Sequence, residues 1–272
     1  MSADSFADPS QSLETGSATD PGRKRGGEPN QDAVLVLQPE GGRPPLFIVA
    51  DGMGGHAGGV EASHLVVEAI ATRYRQMEKI SDPPALLKDC LLQAHQALIA
   101  HANSHPGLAS MGSAAVVAMI DGGQVTVANV GDSRAYLLHD REMTQLSYDH
   151  SVVADQVRAG RITPLQALRS RKRNRLTLSI SPKRREINPY SAQAAFGEED
   201  TLLLCSDGLW GVVPETIMQA VALEMPPQKA AEKLVAYTLA SGAPDNVSAV
   251  IARKRGAKTA AAYDEDDTNP GL

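Results

Sequence analysis

Five aspartates in this sequence stand where an apolar strand pattern meets a loop: Asp32, Asp51, Asp132, Asp207 and Asp245. A single Asp at such a position is more often part of a turn than a ligand. Asp51 and Asp207 nevertheless follow fully apolar runs, and a glycine precedes Asp132 in NVGDSR, which is not the order of a tight turn. If the strands bring these ends together, several carboxylates share one small space.

Carboxylates that share such a space raise one another's pKa unless a cation neutralises them. Oxygen ligands without a His or Cys cluster select hard divalent ions, Mg²⁺ or Mn²⁺, over zinc. Two such ions bridged by one carboxylate lie about 3.5–4 Å apart and activate a shared water. This arrangement serves phosphoester hydrolysis, in which the attacking and the departing oxygen both need positive charge nearby.

The segment Leu46–Gly59, LFIVADGMGGHAGG, organises the elements that must position these residues. Its apolar run predicts a buried strand, its glycines let the backbone approach a small charged partner, and a helix pattern follows at once. Helices are predicted over about 60–77, 84–102 and 228–240, with another starting at Pro214. The strands predicted between 112 and 146 follow one another without helices, which indicates antiparallel sheet.

Composition narrows the class of protein. The chain has 272 residues, 42% of them hydrophobic, and a formal net charge of −6, which argues against general affinity for nucleic acid. No apolar run approaches the length of about eighteen residues that a membrane span needs. The polar N-terminus resembles neither a signal nor a transit peptide, and the two cysteines give no disulfide framework, so a cytoplasmic location is expected.

Seven short motifs carry a resemblance to a known family. In chain order they are NQDA from Asn30, VADGMGG from Val49, MGS from Met111, VGDSRAY from Val130, DHS from Asp149, CSDGLWG from Cys205 and PDNVS from Pro244. The ordered set resembles the metal-dependent serine/threonine protein phosphatases of type 2C (PPM), in their bacterial form. One such motif is a weak signal, whereas the ordered set from about Gly22 to Arg253 is highly specific.

The resemblance implies a role for each matching residue. Asp51 would bridge two core metal ions, the backbone carbonyl of Gly52 would join the second ion, and Asp207 and Asp245 would complete the first. Asp32 would stand in the shell of the second ion through water, and Asp132 with Asp207 would match a third metal site of bacterial members. A bridging hydroxide would attack phosphorus in line, without a phospho-enzyme.

The sequence departs from the family pattern at two positions. The Arg that usually clamps the substrate phosphate, three residues before the Asn of the NQD motif, is replaced by Gly27. Arg25 is the candidate that supplies the guanidinium, with Arg23 as the alternative. Where eukaryotic members have a His just after the Asp-Gly pair, this chain has Met53, which leaves the general acid open.

The predicted fold is α+β, a four-layer α-β-β-α sandwich with two central antiparallel sheets between helix pairs. Residues 1–21 are predicted to be a disordered arm, 22–253 one phosphatase domain, and 254–272 a disordered acidic tail. Residues of about 150–185, rich in Arg and Lys, correspond to the flap that in this family lies beside the active site and affects substrate choice. The alternative interpretation of this stretch is a solvated, mobile excursion.

The predicted function is hydrolysis of phosphoserine and phosphothreonine in proteins by a monomer that acts with a Ser/Thr kinase system. One alternative is a non-catalytic relative that binds phosphoproteins. A second is a dinucleotide-binding oxidoreductase, because GMGGHA from Gly52 fits G-x-G-x-x-A between a strand and a helix. Against the second, Asp51 would repel a pyrophosphate, and no acidic residue ends a second parallel strand.

Overall fold

The computed structural model describes residues 13–23 and 27–255, without the side chains of residues 56 and 57. The strands are β1 (Leu13–Asp20), β2 (Asp32–Leu37), β3 (Leu46–Met53), β4 (Gly112–Asp121), β5 (Gln124–Val130), β6 (Arg134–His139), β7 (Glu142–Gln145), β8 (Tyr190–Ala195), β9 (Thr201–Cys205) and β10 (Val247–Lys254). The helices are α1 (His56–Arg75), α2 (Pro83–Ser104), α3 (Val152–Arg158), α4 (Pro164–Leu168), α5 (Asp207–Trp210), α6 (Glu215–Glu224) and α7 (Pro227–Ala240). A short 3-10 turn at Pro106–Leu108 follows α2.

The strands form two five-stranded sheets. The β9 sheet has the order β1-β10-β9-β6-β7, and the β3 sheet has the order β2-β3-β4-β5-β8. Every neighbouring pair is antiparallel. This arrangement speaks against the dinucleotide-binding alternative, because that fold requires parallel strands joined by crossover helices.

Successive side chains of each strand point to opposite faces of its sheet, so the buried apolar residues form three clusters. Phe47 and Val49 of β3 face Leu202 and Leu204 of β9 in a cluster between the two sheets. The opposite face of the β3 sheet packs under α1 and α2, and the opposite face of the β9 sheet packs under α6 and α7. Burial on both faces explains the near-continuous apolar runs, and the predicted four-layer sandwich is confirmed.

Residues 13–20 correct the predicted N-terminal arm. They form β1, which pairs with β10 from Leu13↔Lys254 to Asp20↔Val247. The Gln228 side chain accepts a hydrogen bond from Ser17 N and donates one to Ser17 O, both at 3.1 Å. These long-range contacts leave no local pattern in the sequence, so the prediction of disorder is wrong for this stretch. Residues 1–12 of the arm lie outside the described residues.

The predicted C-terminal tail, 254–272, also begins slightly too soon in the sequence. β10 extends to Lys254, and Arg255 pairs with Glu14 of β1 at 2.8 Å. Residues 256–272 of the predicted tail lie outside the described part of the chain. Among the described residues, no helix has both the length and the hydropathy needed to cross a bilayer.

The stretch from Ser151 to Ile180 leaves the β9 sheet after β7 and returns to the β3 sheet. It contains α3, whose N-cap is Ser151, and α4, which starts with a capping box between Thr163 and Gln166. Its far end is fixed by paired hydrogen bonds between the backbones of Ile180 and Ser113 at 2.8 and 2.9 Å. We call residues 151–185 the flap.

Candidate active site

Strand alternation places Asp32 and Asp51 on the inner face of the β3 sheet. Asp32 continues the alternation of Val34 and Val36 in β2, and Asp51 continues that of Phe47 and Val49 in β3. The two aspartates are direct cross-strand partners in the β2–β3 ladder. Both carboxylates therefore stand where the space between the sheets opens to a loop region.

The opposite sheet reaches Asp32 through two serines. Ser206, which follows β9, donates a hydrogen bond to Asp32 Oδ2 at 2.6 Å, and Ser248 of β10 donates another at 2.7 Å. The second oxygen, Oδ1, is buried and accepts no hydrogen bond from the described residues. One Asp32 oxygen is thus fixed by protein donors, and the other is left for a ligand.

The three remaining aspartates belong to the β9 sheet. Asp132 precedes β6, Asp207 starts α5 directly after β9, and Asp245 precedes β10. Gly208 is required beside Asp207, because a Cβ there would lie 1.8 Å from the carbonyl oxygen of Asn246. This close approach holds the Asp207 turn against the loop that carries Asp245.

The electrostatic coupling among the aspartates indicates that they converge. The pKa of Asp51 is raised well above its ordinary value, first by burial and then by repulsion from Asp32, Asp207, Asp132 and Asp245. Burial also raises the pKa of Asp132, with Asp207 as the next cause. We call these five residues the acid cluster. The sequence prediction that the five carboxylates share one space is supported by this mutual repulsion.

Asp32 shows how the cluster resists ionisation without a cation. Burial raises its pKa to about 7, and the Ser206 and Ser248 hydrogen bonds oppose that rise because they favour the carboxylate. Repulsion from Asp207 and Asp245 acts in the same direction as burial and is part of this net value. The fully ionised cluster is therefore unfavourable at neutral pH unless positive charge joins it.

The residues fit divalent metal ions. The available ligands are all oxygens, which suits Mg²⁺ or Mn²⁺, and the buried Asp32 Oδ1 lacks a hydrogen-bond donor among the described residues. No three His, Cys, Asp or Glu side chains of the described chain already close around a single point. The acid cluster is thus a converging ligand set rather than a finished coordination shell, and the assignment of each ligand stays a prediction.

Gly52 lies where α1 meets β3, and its position explains the glycine. Its N–H donates to the Gln31 carbonyl at 3.0 Å, and a Cβ would lie 1.9 Å from the Gly59 carbonyl oxygen at the start of α1. Ser113 donates to the neighbouring Asp51 carbonyl at 2.9 Å. The backbone around the predicted bridging carboxylate is therefore fixed from both sides.

Asn246 ties the two sheets together next to the cluster. Its side-chain oxygen accepts from Gln31 N at 3.1 Å, and its amide donates to the Pro21 carbonyl at 2.8 Å. Its backbone N–H donates to Asp245 Oδ1 at 2.9 Å. The backbone of Asn246 therefore contacts the Asp245 carboxylate, and its side chain fixes the loop before Asp32.

An aromatic and ionic network supports Asp132, and sequence reasoning missed most of it. Trp210 donates its indole N–H to the Asp132 carbonyl at 2.9 Å. The Arg134 guanidinium lies 3.6 Å from the Trp210 ring centroid and pairs with the buried Asp149 at 2.7 Å. The signal for Arg134 was its place in GDSR, two residues after Asp132; a contact with Asp149 fifteen residues away has no local pattern.

A cleft of about 800 Å³ opens beside the cluster. One wall is the flap, with α3, α4 and Arg173, and the other is the segment from Asp207 to Glu215. Asp207 and Asp245 line the same cleft. The predicted position of the flap beside the metal-binding residues is consistent with this arrangement. Arg25, the predicted phosphate-binding residue, lies outside the described residues.

Comparison with known proteins agrees with the fold and the site. Residues 42–247 match the family model described as Protein phosphatase 2C. The serine/threonine phosphatase stp of Listeria monocytogenes is 34% identical over 75% of this chain and 80% of its own length. The serine/threonine protein phosphatase PstP of Mycobacterium tuberculosis is 36% identical over 82% of this chain, which covers 42% of that protein.

Solved structures give the same result. The crystal structure of Mycobacterium tuberculosis PstP/Ppp has a TM-score of 0.81 at 32% identity and covers 90% of this chain and 99% of its own. The PstP catalytic domain in complex with two manganese ions has a TM-score of 0.79 at 31% identity, with the same coverage. Stp1 from Staphylococcus aureus has a TM-score of 0.82 at 29% identity over 90% of this chain and 96% of its own.

The chain therefore belongs to the protein phosphatase 2C family, and the resemblance drawn from its motifs is confirmed.

Proposed function

We propose that this protein hydrolyses phosphoserine and phosphothreonine residues of proteins and depends on divalent metal ions, Mn²⁺ or Mg²⁺. The observation that carries the proposal is the acid cluster at the open end of the space between two sheets. Burial and repulsion from neighbouring carboxylates raise the pKa of Asp32, Asp51 and Asp132, so the cluster needs cations at neutral pH. The manganese-bound relative and the family match support the same ions.

Within this proposal each cluster residue has a distinct task. Asp51 would be shared by two core ions, Asp207 and Asp245 would complete the ligands of the first, and the Gly52 carbonyl would be a ligand of the second. The ions supply Lewis-acid activation of water and neutralise the phosphate charge.

Two further aspartates act at the edge of this core. Asp32 is oriented by the 2.6 Å and 2.7 Å hydrogen bonds from Ser206 and Ser248 and would hold the second ion through water. Asp132, with Asp207, would hold a third ion.

The phosphate clamp belongs to the same proposal. Arg25, two residues before Gly27, supplies the guanidinium that binds the substrate phosphate, and Arg23 is the alternative. An Arg–phosphate contact with two parallel hydrogen bonds is strong. Replacing the correct residue by Ala should raise KM for a phosphopeptide more than it lowers kcat, while the other Arg→Ala variant leaves both near the wild-type values.

The wider assignments are also proposals. The substrates are phosphoproteins of a cytoplasmic system that includes a Ser/Thr kinase, and the enzyme acts as a monomer. Size-exclusion chromatography with light scattering tests the last point, since a dimer would double the 28.7 kDa mass of the chain. Deletion of the gene should raise phosphorylation at sites that the kinase modifies. Unchanged phosphorylation at those sites would contradict the kinase assignment.

The decisive experiment is hydrolysis of p-nitrophenyl phosphate and of a phosphothreonine peptide with and without Mn²⁺. Asp51→Asn and Asp207→Asn keep the shape of each side chain and remove its charge, so each should lower kcat by about 10³-fold or more. Asp140→Asn is the matched control, because Asp140 is an exposed aspartate in the turn after β6. Equal rates in the wild type and both cluster variants would favour the non-catalytic alternative and overturn the proposal.

A further inference from the structure

The flap differs in charge from the rest of the chain. Residues 151–185 contain ten of the 26 Lys and Arg residues but a single carboxylate, Asp155, in a chain with a formal net charge of −6. Only Arg158 among the ten pairs with that carboxylate, at 2.6 Å. The stretch Arg169–Arg175, RSRKRNR, has no ion-pair partner among the described residues. Such a segment attracts an anionic partner over distances comparable to the Debye length.

One residue of this stretch is placed differently from its neighbours. Arg169, Arg171, Lys172 and Arg175 are exposed, whereas Arg173 is half-buried. Arg173 also lines the cleft, as do Asp207 and Asp245. Its guanidinium has no hydrogen bond or ion pair with the described part of the chain. It is therefore a cation held at a cleft wall with its hydrogen-bonding capacity available.

The cleft is larger than the phosphorylated side chain needs. Its volume of about 800 Å³ lies near the upper end of the range of about 300–1,000 Å³ that is typical of ligand sites. Leu168 of α4, which is 44% exposed, and the buried Val153 of α3 contribute apolar surface to the cleft. Glu215 lines the opposite wall. The cleft thus offers room, an apolar wall and a flap cation to a chain that enters it.

We propose that this cleft binds the segment of the substrate that flanks the phosphorylated residue, and that Arg173 selects an acidic side chain in that segment. The inference rests on the proposed function, because the phosphorylated residue must lie at the Asp207–Asp245 end of the cleft. A carboxylate placed near Arg173 gains two parallel hydrogen bonds in a partly desolvated site. A basic side chain would meet the flap charge instead, so the enzyme prefers acidic substrates over basic ones.

The test compares matched phosphothreonine peptides with Mn²⁺ present. One peptide has Glu at the positions that flank the phosphothreonine, the second has Gln there, and the third has Lys. The wild type should show kcat/KM about tenfold higher for the Glu peptide than for the Gln peptide. Arg173→Glu should remove this ratio or invert it in favour of the Lys peptide, and Arg173→Lys should restore part of it.

Arg169→Glu is the matched control, because it makes the same charge change in the same stretch at a residue that does not line the cleft. It should keep the ratio of kcat/KM between the Glu and Gln peptides. Equal loss of the ratio in both variants would mean diffuse attraction of polyanions and would overturn the assignment to Arg173. Equal kcat/KM for the Glu and Gln peptides in the wild type would overturn the acidic preference itself.

Two further outcomes separate this inference from the proposed function. If the wild type hydrolyses neither p-nitrophenyl phosphate nor any peptide with Mn²⁺, the proposed function fails. If Arg173→Glu lowers kcat/KM equally for p-nitrophenyl phosphate and for all peptides without changing the ratio, Arg173 contacts the transferred phosphate. That result would overturn the inference and leave the proposed function intact.

Discussion

The acid cluster and the flap lie on either side of one cleft and are built in opposite ways. The cluster gathers five carboxylates at strand ends, where two sheets, two close glycine contacts and the Asn246 hydrogen bonds fix the backbone. The flap is basic, has two short helices, and is tied to the β3 sheet at its far end, where the backbones of Ser113 and Ile180 pair and Ile180 is buried.

Under the proposed function, the acid cluster serves catalysis and the flap serves the selection of substrates. A set of like charges is stable only if the scaffold holds it firmly, so its residues lie in buried strands or next to their ends, with little freedom to spread apart. A surface that selects among substrates needs reach and charge, which a segment outside the sheets provides. Substitutions in the scaffold of the cluster should therefore change the stability of the whole domain. Substitutions in the flap should change only the structure or the contacts of the flap.

The largest structural effect is expected from Gly208→Ala. The added Cβ would lie 1.8 Å from the Asn246 carbonyl oxygen, so the Asp207 turn and the Asp245 loop must move apart. We expect a loss of about 3 kcal/mol or more in the free energy of unfolding, and loss of metal-dependent activity. Urea denaturation measures the first quantity. Gly107→Ala, where the structure has open space and an ordinary backbone, should change it little.

The next effect concerns pH in the metal-free protein. Because burial raises the pKa of Asp32 to about 7, the folded state binds a proton there that the unfolded state releases near pH 4. The metal-free protein should therefore lose stability as the pH rises from about 4 to about 7.

Thermal melts at several pH values in the presence of EDTA check this direction. Asp32→Asn should flatten part of the slope, and Mn²⁺ should oppose it because the ion competes with protons for the same oxygens. A melting temperature that rises steadily from pH 4 to pH 7 without metal would contradict the coupling.

A smaller effect should follow from Ser248→Ala. This change removes the 2.7 Å hydrogen bond to Asp32 Oδ2 but leaves the Ser206 bond in place. Loss of a group that orients a metal-binding carboxylate typically costs about 10- to 100-fold in metal affinity. Titration of activity with Mn²⁺ should show that shift with a similar kcat at saturation. An unchanged Mn²⁺ midpoint would mean that Asp32 does not act in metal binding.

The smallest effect belongs to the flap. Thr163→Ala removes the capping box at the start of α4, in which Thr163 and Gln166 exchange hydrogen bonds. The expected cost is about 1 kcal/mol, confined to α4. Hydrogen exchange should become faster in Pro164–Leu168 while the midpoint of urea unfolding changes little. A large drop in that midpoint would show that the flap is part of the cooperative core and would break the contrast with the cluster.

Much of this architecture could be predicted from the sequence, because apolar runs and turn residues are local signals. The alternation in β2 and β3 fixes the face on which Asp32 and Asp51 lie, and the fully apolar runs before Asp51 and Asp207 mark buried strands. The family motifs then identified the class of protein. The helices and strands expected from periodicity are present with small shifts at their ends.

What the sequence did not reveal depends on contacts between distant residues. The Ser206 and Ser248 hydrogen bonds to Asp32 join residues 174 and 216 positions apart, and the Arg134–Asp149 pair joins two elements around a turn. The sequence predicts disorder for residues 13–20 because they show no local strand pattern. They form β1 because a strand at a sheet edge is stabilised by its partner rather than by its own residue pattern. The half-buried position of Arg173 among exposed basic neighbours likewise follows from tertiary packing alone.

The pairing of β1 with β10 has a practical consequence. Leu13 faces Lys254 across the ladder, so the two ends of the described domain leave the sheet about 5 Å apart. That exit lies roughly 24 Å along the strand from Asp20, whose partner Val247 follows Asp245 by two residues. A donor and an acceptor dye attached at Leu13 and Lys254 would sit side by side without obstructing substrate entry, and their energy transfer would fall when this edge strand detaches.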